Sequence, residues 1–163
     1  MKTSDLKNTV YTRHCQFSQL SEIQWELEQL LKPWIEDDNH LNFVTLAIIE
    51  GLANIFEHNL GQENNENNEV ILTVSRDYSS SLVQLIDNGK APPAQVRNQL
   101  IGKTSKMPRI DTDELPESGW GLNFMQFATT GIDYQRLNGK NILELMFEDS
   151  PVNTARQTHK FCE

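Results

Sequence analysis

The sequence predicts an α+β fold: a two-layer sandwich of a mixed, mostly antiparallel sheet with helices on one face. Three observations carry that expectation. The apolar positions divide the chain into segments in the order β-α-α-β-β-α-β-β. Two of the strand pairs are joined by short turn sequences, Asp77-Tyr78-Ser79-Ser80 and Asn138-Gly139, which are hairpin signals. No repeated βαβ unit occurs, so a purely parallel sheet is disfavoured.

Taken in order, residues 9–17 are β-prone, and Ser18 is placed to cap a helix running through Ile23, Leu27, Leu30 and Leu31 until Pro33 stops it. A second helix is expected over residues 38–58. Residues 70–76 and 82–86 are β-branched runs on either side of the first hairpin turn. Gly119-Trp120-Gly121 opens a third helix over residues 122–129, and strands 132–137 and 142–147 flank Asn138-Gly139. The run Gln-Glu-Asn-Asn-Glu-Asn-Asn-Glu at 62–69 reads as a loop. The domain is expected to span residues 8–148, with 149–163 an unpatterned, frayed tail.

The 163 residues suit one domain. A net charge of -9, from 14 Lys+Arg against 23 Asp+Glu, is the reverse of a phosphodiester-binding footprint, so no nucleic-acid partner is expected. A small anionic ligand would need Mg²⁺ or backbone N–H groups to offset that field. The longest apolar stretch, 43–56, is broken by Glu50 and Asn54 and is too short to span a bilayer, so no membrane association is expected. The polar start lacks a signal core. Cys15 and Cys162 are too few and too far apart for a disulfide framework or a metal-ligand set, which fits a reducing cytoplasm. Trp25, Trp34 and Trp120 read as core or pocket anchors.

The second helix carries the first chemical signal. At about 100° per residue, Leu41, Val44, Ile48, Leu52 and Ile55 fall within an arc of about 80°, a core stripe. Glu50, Asn54 and His58 recur every four residues and line the opposite face. On so apolar a helix they form either a pocket wall or an ordinary solvated face. A second signal is Asp87-Asn88-Gly89 after an apolar strand. The acid could accept from an exocyclic amine such as that of adenine, and the glycine lets backbone pass a flat ring, or the three residues form a simple turn. The third is Gly119-Trp120-Gly121-Leu122 at a helix start, a place where N–H groups converge on phosphate, or a flexible loop ending in a cap.

Together these pieces carry more than each alone. E-x-x-x-N-x-x-x-H on a helix, then D-x-G after a strand, about 30 residues of lid, and G-x-G-L at a helix start resemble the ATP-binding fold shared by gyrase, heat-shock chaperone ATPases, histidine kinases and mismatch-repair ATPases. The stand-alone length, short lid and the stretch from Glu117 to Phe147 most resemble the anti-sigma factor serine/threonine kinases. That resemblance covers about residues 8–148 and implies a histidine kinase-like ATPase domain. It implies Glu50 as general base, Asn54 as Mg²⁺ ligand and His58 near the phosphates. It further implies Asp87 reading the adenine amine with Gly89 beneath the ring, and Gly119 and Gly121, with Leu122 behind them, cradling the phosphates of ATP as residues 90–118 close. The pattern's second glycine is Ala91 here, and Glu117 stands where a basic residue can meet the γ-phosphate; Lys103, Lys106 or Arg109 are the substitutes within the lid. The resemblance implies a Mg-ATP-dependent serine kinase that phosphorylates an antagonist protein, binds a sigma factor and forms a homodimer through its first strand and helix. The alternative is a nucleotide-binding partner-switch module without phosphotransfer.

Overall fold

The structure, a computed structural model, describes residues 8–61, 67–101 and 125–151, with side chains of α3 described as far as residue 98. Five strands form one sheet in the order β1-β2-β3-β5-β4, with β1 at Asn8–His14, β2 at Val70–Arg76, β3 at Ser80–Asp87, β4 at Gly131–Leu137 and β5 at Lys140–Glu148. All four pairings are antiparallel, so the parallel component allowed for by the sequence reading does not occur among the described strands. Short connections account for two of these pairings: β2 and β3 turn over Asp77, whose Oδ1 accepts from the Ser79 and Ser80 amides, and β4 and β5 turn over Asn138 and Gly139, both at positive φ (52° and 74°).

Alternation along the strands separates two faces. Val70, Leu72, Val74, Val83, Leu85, Leu143, Leu145 and Phe147 are buried against helices, while Ile71, Thr73, Leu82, Gln84, Ile86, Ile142, Glu144 and Met146 are half-buried on the other face. Helix α1, Leu20–Leu31, contributes Ile23, Leu27 and Leu31 to that core; α2, Asp38–Asn54, contributes Leu41, Val44, Ala47, Ile48 and Leu52. The expected stripe of α2 is therefore the buried one. Asp37 caps α2 by accepting from the His40 amide at 2.8 Å.

Several expectations are corrected. Ser18 caps nothing: it lies inside a 3-10 turn, Phe17–Gln19, and α1 starts at Leu20 without a side-chain cap. The first strand ends at His14 rather than 17. The α-helical geometry of α2 ends at Asn54 and gives way to a π-helical turn, Ile55–Asn59, closed by the Leu60 amide on the Ile55 carbonyl. Helix α3, Ala94–Ile101, lies within the segment read only as lid, and it rests against β4. Trp25 is 61% exposed on α1, not a core anchor. Trp34 instead lies beneath the buried Arg76 guanidinium, 4.2 Å from ring centroid to Cζ. Asp149, the first residue of the expected tail, is tied to Arg76 through both carboxylate oxygens and to the Ser79 carbonyl through its amide.

At the β1 edge, Glu26 of α1 accepts from the Tyr11 hydroxyl and from Arg13 Nη1 at 2.8 Å, fastening strand to helix. Cys15, just beyond β1, is a free, buried thiol. Of the third expected helix, only 125–128 lie among the described helical residues, and Met125 and Ala128 are buried there.

Candidate functional site

The C-terminal end of β3 and the C-terminal half of α2 run together. Gly51 is one contact: a Cβ there would stand 2.8 Å from Leu85 Cδ1. Eight residues on, the π-helical turn makes the other. It turns Asn59 toward the strand end, where the Asn59 side chain donates to Asp87 Oδ2 at 3.2 Å and the Asn59 carbonyl accepts from the Lys90 amide at 2.8 Å. Asn54 lies between these two contacts, and Glu50, one turn earlier, directly precedes the first.

Asp87 is 2% exposed and is held by donors on three elements. Its Oδ1 accepts from the Gly89 amide at 2.8 Å and from Asn141 Nδ2 at 2.9 Å, and its Oδ2 accepts from Asn59. Asn141 sits opposite Asp87 in the β3–β5 register, which is why so distant a residue meets it. It is itself 2% exposed. Its oxygen accepts from Tyr134 Oη and from Arg136 Nη1, and its nitrogen also donates to the Lys90 carbonyl at 2.8 Å. A buried carboxylate surrounded only by donors can still accept from a ligand, because each oxygen offers two lone pairs.

Gly89 passes so close to the π-helical turn that a Cβ would stand 2.4 Å from the Asn59 carbonyl oxygen. The close approach that requires glycine here is thus to the backbone of the π-helical turn. Asn88 braces the approach by accepting from the Glu69 amide at 3.0 Å and donating to the Asn67 carbonyl at 2.7 Å.

The residues expected on the helix divide. Glu50 and Asn54 are half-buried, and among the described residues neither side chain has a hydrogen-bond or ion-pair partner. His58 departs from them: its side chain is 61% exposed and lies 3.9 Å from the Glu57 carboxylate, because the π-helical turn breaks the four-residue phase after Asn54. Lys103, Lys106, Arg109, Glu117, Gly119, Gly121 and Leu122 lie outside the described residues. No cluster of three or more His, Cys, Asp or Glu side chains that could hold a metal occurs among the described residues; the Asn54 amide oxygen is of the donor type that a hard cation such as Mg²⁺ takes. No helix among those residues is long and apolar enough to cross a membrane.

Asn59, Asn141, Tyr134 and Arg136 escaped sequence reasoning. Asn59 directly follows His58, but four-residue spacing excludes it from the polar face. Asn141 follows the hairpin turn and reads as a strand start. Only strand register brings it to Asp87.

The sequence profile of the histidine kinase-like ATPase domain matches residues 16–147. Two nucleotide-free forms of the catalytic domain of histidine kinase ThkA are similar to the chain in structure. The first has 13% identity and a TM-score of 0.50, the second 12% and 0.49, and each alignment covers 87% of this chain and 98% of that domain. At such identity the first likeness speaks for the fold alone. No curated protein sequence matches the chain.

Proposed function

The chain belongs to the histidine kinase-like ATPase domain family, and from that premise we propose that it is a Mg-ATP-dependent protein serine/threonine kinase acting as an anti-sigma switch. In this reading it phosphorylates an antagonist protein and, in alternation, binds a sigma factor. The observation that carries the reading is the juxtaposition of a buried, donor-clamped Asp87 with two polar groups on the adjoining helix, Glu50 and Asn54, that have no partner among the described residues.

Each residue then has a task. Asp87 accepts the base amine, and Gly89 admits the ring. Asn54 offers its amide oxygen to the cation; Mg²⁺, when bound, neutralises phosphate charge that the acidic protein would otherwise repel. Glu50 orients a substrate hydroxyl and takes its proton, a role with which no partner among the described residues competes. Gly119, Gly121 and Leu122 form the phosphate cradle, and a lid cation such as Lys103 meets the terminal phosphate. Phosphoryl transfer depends mostly on positioning and charge neutralisation, so this short set is sufficient.

A homodimer is proposed through β1 and α1. In support, β1 is a sheet edge, and Val10 and Trp25 are exposed there. Incubation with γ-labelled ATP, Mg²⁺ and the antagonist tests the whole: label on an antagonist serine is expected. ATP binding without label on any partner would leave a nucleotide-binding module in place of a kinase.

A further inference from the structure

Building on the nucleotide site proposed above, we infer that Asn141, together with the Gly89 amide, restricts Asp87 to a single acceptor atom and thereby sets the preference for adenine over guanine. Asp87 Oδ1 receives two hydrogen bonds, from the Gly89 amide at 2.8 Å and from Asn141 Nδ2 at 2.9 Å. A carboxylate oxygen has two lone-pair positions, so Oδ1 is fully used. Oδ2 receives one bond, from Asn59 at 3.2 Å, and keeps one position.

The orientation of the Asn141 amide follows from its neighbours. Arg136 has only donors, and its Nη1 lies 2.7 Å from Asn141 Oδ1, so the oxygen must face Arg136 and the nitrogen must face Asp87. Both N–H groups of that nitrogen are engaged, one by Asp87 and one by the Lys90 carbonyl. The clamp is therefore a donor to Asp87 with nothing to spare for a ligand.

Adenine presents one amine donor beside a ring acceptor. Guanine presents two adjacent donors, N1–H and the 2-amino group, and a carboxylate with both oxygens free takes them as a pair. With Oδ1 filled, Asp87 can accept one donor and no more. The second guanine donor goes unpaired on entering a buried site, which is unfavourable. Asn141 acts here through Asp87 and is a positioning residue.

Calorimetry with Mg²⁺ and ATP, GTP and ITP tests the inference, since ITP has N1–H but lacks the 2-amino group. In the wild-type chain, ATP is expected to bind at least tenfold tighter than GTP, and GTP no tighter than ITP. Asn141→Ala is expected to narrow the ATP-to-GTP ratio about tenfold and to let GTP bind better than ITP. A purely structural role would instead weaken all three nucleotides alike. Equal weakening in that variant, or a wild-type preference of tenfold or more for GTP over ITP, overturns the inference while leaving the nucleotide site in place. Because the second comparison uses the wild-type chain, it decides the matter even if Asn141→Ala does not fold. A wild-type chain that binds no ATP overturns the proposed function and this inference together.

Discussion

The Asn59 carbonyl oxygen lies against Gly89 so closely that one added methyl group would stand 2.4 Å from it and 2.7 Å from the carbonyl carbon. Neither partner is the end of a flexible side chain, so backbone must move to relieve the clash. The same oxygen accepts from the Lys90 amide, so the strand end and the π-helical turn would shift together. Gly89→Ala is therefore expected to lower ATP affinity at least tenfold and stability by about 1–3 kcal/mol. Calorimetry and urea denaturation measure the two. Unchanged affinity would remove this contact from the nucleotide site.

Binding and transfer are expected to separate by mutation. Asp87→Asn places an NH₂ group among three donors, leaves at least one of them unpaired at a cost of about 1–3 kcal/mol, and abolishes ATP binding. Glu50→Ala removes a side chain without a described protein partner, so the fold and ATP affinity are expected to persist while serine phosphorylation falls about 10²–10⁴-fold. Parallel binding and labelling assays read both variants. A Glu50→Ala chain with wild-type transfer would exclude that residue as the base.

At the other end of the sheet, Arg76 is nearly buried, stacked on Trp34 and paired with Asp149 at 2.6 Å and 2.9 Å. Asp149→Ala leaves a buried guanidinium with Ser81 and the indole for company. The expected loss is about 2–4 kcal/mol of stability with ATP affinity unaltered, read by denaturant melts and calorimetry. A change below about 0.5 kcal/mol would mean that the pair is held open to water.

Burial pushes the Cys15 thiol from its ordinary 9.0 up to about 11, and burial together with its bond to Glu26 raises Tyr11 as well. Both groups hold their protons more tightly in the folded chain than in the unfolded one. The contribution from Cys15 is thus complete below about pH 9 and is lost as pH rises through about 11. Stability measured at pH 8 and pH 11 should fall between the two, and fall less in Cys15→Ala. Equal losses in wild type and variant would refute the thiol's part in it.

Periodicity and turn chemistry made the sheet, the two hairpins and the buried stripe of α2 legible, because local pattern determines them. Asp87 and Gly89 were legible as an acid and a glycine at a strand end, but the backbone that Gly89 meets, that of Asn59, was not. What stayed hidden depends on phase and register. His58 fits a four-residue repeat, but the switch to π geometry at Ile55 has no local signature and leaves the imidazole outside. Asn141 could be assigned to Asp87 only through the pairing of β5 with β3. Helix α3 escaped because its short sequence, Ala-Gln-Val-Arg-Asn-Gln-Leu-Ile, follows two prolines and has little apolar contrast.

The pairing of β5 with β3 also has a temporal side. Asp87 and Asn141 are separated by 54 residues, and β5 is the last of the described strands to be made although it lies inside the sheet, between β3 and β4. A ribosome-bound chain that has not yet released β5 has a helix, a carboxylate and a glycine, but neither the amide that fixes the carboxylate nor the strand that covers its flank. Nucleotide capture would therefore begin only after β5 has left the ribosome and paired with β3, and a bound nucleotide would mark a finished sheet.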